Sequence, residues 1–348
     1  MAAVYNRQMP FLRVLLLVSL ATIGALAQVL GPYVTLTTPT SATVMWIKGP
    51  SGQPAVFQTF GKVLDNLQPG KRYEYELPDG VRGSFTTPPK AGGDFSFVIF
   101  GDNRTRHDVY RRVAAAVAAA KPTLVVHTGD LVERGRDAAL WPVFFDISKE
   151  WMRHSVLLPS LGNHEQNTPY WYQFFGRQRG YYSQDWGPIH WVILNSDAGN
   201  AVPPAGVEAF WKEQIAWLEQ DLAANQGAAF RFVVFHHPPF TAVVRRQEGA
   251  ARIAARLVPV FRKHNVQGVF CGHDHNYQRH VEDGIQYVVT GGGGAPLYDV
   301  DGPIPGKTVK VEKIENYVYA EVKNNVVRIE ARTPDGRVID KFEIAGKQ

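Results

Sequence analysis

The sequence predicts an α/β fold that follows a small all-β segment. From Asp94 onwards, short apolar runs bounded by glycine or polar residues alternate with amphipathic segments, a pattern typical of alternating strands and helices. From residue 28 to about 90, and again after Gly272, apolar and polar residues alternate between Pro and Gly turns, which favours β-strands. Strands that alternate with helices indicate a layered α/β domain.

Four segments of the α/β part have the pattern of amphipathic helices. They cover residues 107–121, about 137–154, about 206–225 and about 249–264. The C-terminal strands, at about 284–345, are expected in the second sheet of the same domain. We therefore predict a β domain at residues 28–91 and an α/β domain at residues 94–348.

The composition is that of a globular protein, since 45% of the 348 residues are hydrophobic and 20% are charged. The formal net charge is +5, but the basic residues are scattered, so no nucleic-acid groove is indicated. Cys271 is the single cysteine, which excludes an internal disulfide.

The N-terminus has the features of a Sec-type signal peptide. Arg7 and Arg13 precede the apolar run LLLVSLATIGALA, and Ala25 and Ala27 provide the small residues of a cleavage site. The run is shorter than the roughly 20 residues that span a bilayer. We predict cleavage after Ala27 and a secreted or periplasmic protein without a membrane span in the mature chain. An uncleaved N-terminal membrane anchor is the alternative.

Five short polar blocks follow predicted strands. In open α/β sheets, sites form outside the carboxyl ends of the strands, so these blocks are expected at one rim of one sheet. Carboxylate, amide and imidazole groups together are what a two-metal hydrolytic centre requires. The blocks are Gly101-Asp102-Asn103-Arg104, Gly129-Asp130-Leu131, Gly162-Asn163-His164-Glu165, His236-His237-Pro238 and Gly272-His273-Asp274-His275.

The order and spacing of the blocks resemble those of the calcineurin-like metallophosphoesterases. The N-terminal segment is similar to a shortened fibronectin-type-III-like module, as found in their purple acid phosphatase-like branch. Residues 31–33, 38–46, 67–70 before Tyr73, and 85–89 carry this similarity. The resemblance implies a four-layer α-β-β-α sandwich preceded by a small all-β sandwich-like domain. It also implies two metal ions, which would be Fe, Mn or Zn.

The resemblance assigns most of the polar residues of the blocks. Asp130 would bridge the two ions, because a carboxylate has two oxygens. The first site would also take Asp102 and His275, and the second site Asn163, His236 and His273. The family pattern His-x-Pro selects His236 as the ligand and leaves His237 beside it, to orient a ligand or contact substrate; Asn103 is assigned to the same surroundings.

His164 follows the ligand Asn163, and the matching histidine of the family faces the substrate. We therefore expect His164 to act as a general acid that protonates the leaving oxygen. A structural imidazole behind the loop is the alternative. Glu165 either holds the His164 ring or caps the next helix.

The first site departs from the family in two residues. Many relatives have Asp-x-His in the first block, where this chain has Arg104, and purple acid phosphatases have a tyrosine where this chain has Glu133. Arg104 either clamps phosphate or forms a salt bridge with a neighbouring acid. Glu133 either completes the first site or is a solvated acid at a helix start. The first site is thus expected to bind metal weakly.

The resemblance implies an exported hydrolase of phosphate monoesters that works by attack of a metal-bound hydroxide. Its substrate would be a phosphorylated small molecule or another phosphoester. Phosphodiester hydrolysis on the same centre is the first alternative. A non-catalytic protein that binds phosphate or a partner, with an altered first site, is the second.

Overall fold

The computed structural model describes residues 3–5, 28–51 and 56–347. The predicted signal peptide, residues 1–27, lies outside the described residues except for residues 3–5, whose backbone forms a strand. Of the helices that the structure describes, none combines the length and the apolarity needed to cross a membrane.

The described strands follow one another along the chain, and the helices are inserted mainly between β7 and β13. The strands are β1 (Ala3–Tyr5), β2 (Val29–Thr38), β3 (Ser41–Ser51), β4 (Val56–Leu64), β5 (Arg72–Glu76), β6 (Arg82–Thr86), β7 (Phe95–Phe100), β8 (Leu124–His127), β9 (Val156–Pro159), β10 (Tyr182–Trp186), β11 (Ile189–Ile193), β12 (Phe230–Val234), β13 (Gly268–Cys271), β14 (Tyr277–Glu282), β15 (Ile285–Thr290), β16 (Thr308–Glu312), β17 (Tyr317–Lys323), β18 (Val326–Arg332) and β19 (Val338–Ala345). The helices are α1 (His107–Ala120), α2 (Leu140–Met152), α3 (Pro169–Phe175), α4 (Ala198–Ala201), α5 (Val207–Ala224) and α6 (Gln247–Lys263). The four predicted helices correspond to α1, α2, α5 and α6.

Two large sheets pack face to face, which confirms the α/β sandwich. One has the order β19-β18-β17-β7-β8-β9-β2-β3-β4 and the other the order β10-β11-β12-β13-β15-β14-β16. Apolar side chains of both sheets form the core between them, as where the rings of Phe97 and Trp191 meet edge to face at 5.1 Å. Helices α1–α3 cover the outer face of the first sheet, and α5 and α6 cover that of the second.

Parallel strands occupy the middle of both sheets. β7, β8 and β9 run parallel in the nine-stranded sheet, and β11, β12 and β13 run parallel in the seven-stranded one. The first three polar blocks follow the former group, and the last two follow β12 and β13. The expectation of one rim of one sheet is therefore wrong, because the two sheets of the sandwich each contribute strand ends to the same rim.

The N-terminal segment is all-β, as predicted, and its strands belong to two different sheets. β2, β3 and β4 extend the nine-stranded sheet, where Val34 of β2 pairs with Val156 of β9 in parallel. β5 and β6 form a separate three-stranded sheet with β1. Tyr33 is fully buried, and its ring packs against Phe145 and Phe175 of the helical layer.

The C-terminal strands are divided between the sheets, whereas the sequence led us to expect them in one. β15 and β16 belong to the seven-stranded sheet, but β17 pairs antiparallel with β7, with Val318 opposite Ile99. An alternating pattern identifies a strand but does not identify its neighbour, so the partner of β17 was not predictable from residue periodicity.

We predict that a chain beginning at residue 94 does not reach a stable native state, whereas one beginning at residue 28 does. Without β2–β4, the edge of β9 and the aromatic rings covered by Tyr33 and Phe57 are exposed. Soluble yield, circular dichroism and thermal unfolding of the two chains measure the difference. A shorter chain that unfolds cooperatively at the same midpoint would show that β2–β4 are an independent addition.

A second prediction concerns His190 in β11, which is buried between two carboxylates. Burial opposes protonation, but Asp185 at 2.7 Å and Asp221 at 2.8 Å outweigh it and raise the pKa of His190 to about 9. An unfolded histidine titrates near pH 6.5, so this stabilisation is complete below about pH 6.5 and is lost as the pH rises through about 9. His190→Gln should lower the free energy of unfolding by roughly 2 kcal/mol at pH 6 and much less at pH 10. Urea unfolding of both proteins measures the difference; an equal difference at both pH values would contradict this account.

Candidate metal centre

The loops after the parallel strands bring the predicted ligands together at one rim. Asp102, Asp130 and His273 each adopt a left-handed backbone conformation, with φ of 58°, 58° and 68°. Asp and His tolerate this conformation better than branched residues, and it turns the chain sharply after a strand. All three residues are largely buried, and so are the remaining predicted ligands, Asn163, His236 and His275.

Three atoms of the second site converge on one point. Oδ1 of Asn163 lies 3.1 Å from Nε2 of His236 and 3.1 Å from Nδ1 of His273, and the two nitrogens are 3.2 Å apart. Ligands held about 2.1 Å from one metal ion are separated by roughly 3.0–3.4 Å. The spacing of these three atoms therefore fits a shared ion.

The hydrogen bond behind His236 fixes which of its nitrogens is free. Nδ1 donates to the carbonyl of Thr128 at 2.9 Å, because a carbonyl can only accept. In the neutral ring, the lone pair of Nε2 then faces the oxygen of Asn163, with no hydrogen between two acceptors. A cation at this point removes the conflict, and a carbonyl partner behind a metal-binding histidine is usual.

The carboxylates give this point a negative potential. Burial disfavours a charged imidazole, but Asp130 and Asp102 outweigh it and raise the pKa of His236 to about 10. Burial likewise opposes the ionisation of Asp130, but His236 and the backbone N–H of His164 hold its pKa well below the usual range. A site that stabilises a proton on an imidazole in this way also stabilises a metal ion in the place of that proton.

Asp130 lies between the two predicted sites and is 1% exposed. Its Oδ1 lies 3.4 Å from Nε2 of His236 and accepts the N–H of His164 at 3.0 Å. Its Oδ2 lies 3.3 Å from Nε of Arg104. The two oxygens therefore have different partners.

The first site brings together Asp102 and His275. Nε2 of His275 is 3.4 Å from Oδ1 of Asp102, while its Nδ1 donates to the carbonyl of Pro296 at 2.7 Å. The ring of Tyr298 stacks on His275 at 4.1 Å. The facing atoms of Asp102 and His275 could hold a cation, and a ligand atom of Asp130 lies within 4.8 Å of that of Asp102.

Arg104 and Glu133 are bound to each other. The Arg104 guanidinium donates to Glu133, which also accepts the hydroxyl of Thr105 at 2.8 Å. The salt-bridge alternative for Arg104 is the one that the structure contains. Glu133 is neither a ligand on its own nor fully solvated, because it is the partner of Arg104.

His164 lies beside Asp130 and is partly exposed. Its Nδ1 donates to the carbonyl of Glu133 at 2.7 Å, and its Nε2 is 4.0 Å from Oδ2 of Asp130. The ring is therefore fixed by the backbone, and Glu165 has no part in holding it. This arrangement leaves Nε2 at the open side of the centre, as the general-acid assignment requires.

His237 lies against the second site. Its ring centroid is 4.2 Å from that of His273, and its Nδ1 lies 2.9 Å from the hydroxyl of Ser196. Burial, followed by the charge of His236, lowers the pKa of His237 to about 3, so its ring is neutral. One ring nitrogen each of His236, His237 and His273 lies within 4.8 Å of the other two, so His237 is close enough to join the ligands.

Asn103 does not reach the open side of the centre. It is 1% exposed, its amide donates to the carbonyl of Leu131 at 2.9 Å, and its oxygen accepts from Nε2 of His127. Asn103 therefore ties the loop after β7 to the loop after β8. The sequence left two roles open for Asn103, contact with substrate or support behind the ligands, and its buried hydrogen bonds fit the supporting role.

Glu165 has a role that the sequence interpretation missed. Its fully buried carboxylate accepts the backbone N–H groups of Asp130 at 2.8 Å, Leu131 at 2.8 Å and Gly162 at 2.7 Å. Burial, together with Asp130, raises its pKa to about 8 against the opposing effect of these hydrogen bonds. The signal that could have revealed it is an acid three residues after Gly162, since Gly162 is the N-cap of the short 3-10 helix Asn163–Glu165 and an acid at that position accepts the N–H of the N-cap residue.

Three comparisons with known proteins agree with this geometry. Residues 95–277 match the family model of the calcineurin-like phosphoesterases. The chain belongs to this family. The matched range includes every block from Asp102 to His275.

Several of the similar proteins are named as purple acid phosphatases. The chain is 23% identical to the probable inactive purple acid phosphatase 9 of Arabidopsis thaliana, over 69% of this chain and 44% of that protein. It is 24% identical to the Fe(3+)-Zn(2+) purple acid phosphatase 12 of the same plant, over 70% and 56% of the two chains. The chain thus spans about half the length of the curated relatives it matches.

A solved structure shares the fold. The purple acid phosphatase PPD1 of yellow lupin superposes with a TM-score of 0.72 at 18% identity, over 92% of this chain and 74% of that one. The N-terminal β segment and the α/β sandwich therefore occur in the same order as in a purple acid phosphatase.

We predict that Gly162→Ala abolishes tight metal binding. The backbone of Gly162 has φ of −103°, which alanine tolerates, but a Cβ there would overlap Oδ1 and the amide nitrogen of Asp130. Asp130 must then move away from the ligands. The matched control is Gly199→Ala, where a Cβ meets no atom within 4 Å.

Metal content of the two purified variants, with their thermal unfolding, measures this effect. The control should keep the metal content of the wild type. Equal metal content in both variants would show that the position of Asp130 is not critical.

Proposed function

We propose that this protein is an exported, metal-dependent hydrolase of phosphate monoesters. The observation that carries the proposal is the convergence of Asn163, His236 and His273 beside the buried carboxylate of Asp130. Export is supported by the sequence of residues 1–27 alone. The relatives named above are plant purple acid phosphatases, and one of them is named as an Fe–Zn enzyme, which favours Fe, Mn or Zn here.

A metal ion bound at these residues would lower the pKa of water and polarise the phosphoryl oxygens. The chain supplies the remaining groups. Asp130 and Asp102 keep the negative potential that holds the ion, and the Thr128 carbonyl keeps His236 in the tautomer that can bind it.

His164 is placed to transfer a proton to the leaving oxygen. The carbonyl of Glu133 accepts the hydrogen of Nδ1, so the proton that moves is the one on Nε2. Oδ2 of Asp130 lies 4.0 Å from this nitrogen. A positioned general acid contributes about 10²–10⁴-fold in rate.

A cleft leads away from the second site and has room for the organic part of a substrate. Its volume is about 670 Å³, and it begins at His237 and His273. Arg245 and Arg246 line it, and the apolar side chains of Val207 and Ile253 form part of its wall. This space also suits the two organic groups of a phosphodiester, so phosphodiester hydrolysis is the second candidate.

A binding role without turnover is the remaining alternative, and one relative is named as probably inactive. The placement of His164 argues against it here. Proton transfer to a leaving group requires an imidazole that is fixed through Nδ1 and free at Nε2 beside the centre, whereas phosphate binding alone does not.

The test is hydrolysis of p-nitrophenyl phosphate and bis(p-nitrophenyl) phosphate by the purified protein, with and without added Mn²⁺. Asp130→Asn should lose metal and activity together, because it removes the charge that both sites share. His164→Ala should lose about 10²–10⁴-fold in kcat and keep its metal. The ratio of the two substrate rates distinguishes the monoesterase from the diesterase.

Two results would contradict the proposal. Turnover that persists in Asp130→Asn would come from a contaminant or another site. Wild-type protein that binds metal and hydrolyses neither substrate would favour the binding role. Loss of metal from His164→Ala would contradict the general-acid assignment alone.

A further inference from the structure

The two oxygens of Asp130 have partners of different kinds. Oδ1 lies towards the second site, 3.4 Å from Nε2 of His236, while Oδ2 lies 3.3 Å from Nε of Arg104. A bridging carboxylate uses one oxygen for each of two cations. In this chain the guanidinium of Arg104 is the cation at the second oxygen.

Arg104 is held firmly in this place. Its side chain is 10% exposed, and its Nη1 donates to Glu133 and to the hydroxyl of Thr105, the latter at 3.0 Å. Glu133 lies in the same loop as Asp130, three residues further along the chain. Thr105 follows Arg104 and itself donates to Glu133. A guanidinium stays protonated at every pH at which proteins fold, and it has no acceptor atom, so it cannot itself bind a metal ion.

The first site is left with two unshared protein ligands, Asp102 and His275. The third protein ligand for an ion there is Asp130, whose ligand atom lies within 4.8 Å of that of Asp102 and whose Oδ2 Arg104 already contacts. An ion in the first site would therefore compete with a fixed positive charge for the same oxygen and be repelled by it. At the second site the ligand atoms of Asn163, His236 and His273 lie against one another. The nearby guanidinium of Arg246 donates to the backbone carbonyl of His273 at 2.9 Å and to Asp274 at 3.1 Å, and not to one of these ligand atoms.

We propose that the guanidinium of Arg104 replaces the metal ion of the first site, so that the protein holds one ion tightly, at the second site. Glu133 is the positioning residue for this guanidinium. The centre then consists of one metal ion and the guanidinium of Arg104, and each of them contacts the carboxylate of Asp130. An ion binds at the first site only weakly and exchanges freely.

The experiment counts metal ions per chain. The full-length protein is loaded with excess Zn²⁺, passed through a desalting column into metal-free buffer, and analysed by inductively coupled plasma mass spectrometry. We expect one zinc ion per chain in the wild type and in Arg104→Lys, which keeps the charge. We expect close to two in Arg104→His, which removes the charge and adds an imidazole. The matched control is Arg111→His, an exposed residue that pairs with Asp146 on the neighbouring helix; it should keep one ion.

Arg104→Gln provides a second variant should the histidine disturb folding, which thermal unfolding reports. It removes the charge without adding a strong ligand, so the second zinc ion should bind at least ten-fold more tightly than in the wild type, as measured by calorimetric titration. Two tightly held ions in the wild type, or none, would overturn the proposal. So would a single ion in a folded Arg104→His, or an unchanged affinity in Arg104→Gln. The count requires no turnover, so it is independent of the outcome of the phosphatase assay.

Discussion

The buried carboxylate of Glu165 is the interaction on which the centre depends. It accepts N–H groups from the loop after β8 and from the loop after β9, and so it joins Asp130 to Asn163 through the backbone. Ligands of one ion must be placed to within a few tenths of an ångström, and side chains at the ends of separate strands have no other reason to keep such spacing. The Glu165 carboxylate fixes the spacing between the loops after β8 and β9. Asn103 fixes the spacing between the loops after β7 and β8, because its amide donates to the carbonyl of Leu131.

The same arrangement costs stability. The centre collects acceptor atoms and negative charge in a buried place, although these groups would be better solvated if they were apart in water. They belong to Asp102, Asp130, Asn163, His236 and His273. The high pKa of His236, about 10, shows how strongly this environment attracts a positive charge. The surrounding sandwich, with aromatic and aliphatic side chains on both faces of both sheets, compensates for this local cost.

Much of the fold and of the centre could be predicted from the sequence, because both depend on local signals. Apolar runs that end in Gly-Asp, Gly-Asn-His or Gly-His-x-His mark strand ends, and the helical periods of α1, α2, α5 and α6 are regular. What could not be predicted depends on contacts between distant residues. No periodic pattern in the sequence predicts which sheet contains β17, that β2 pairs with β9, or that Arg104 pairs with Glu133. Glu165 and Asn103 lie inside blocks that were recognised, but their hydrogen bonds to the backbone of neighbouring loops are decided only by the fold.

The place of β2 in the sheet has a consequence for how the chain acquires its structure. The ribosome makes β2 early, yet its neighbour β9 follows more than a hundred residues later, and β7 must wait for β17 before it can pair on that side. The central strands of the nine-stranded sheet therefore cannot be completed while the chain is still emerging, and apolar edges stay open until the last segment arrives. Proteins with such distant pairings fold slowly and are prone to aggregate before they finish. Expression at low temperature, or with a chaperone that binds unfinished sheets, would suit this topology better than rapid synthesis.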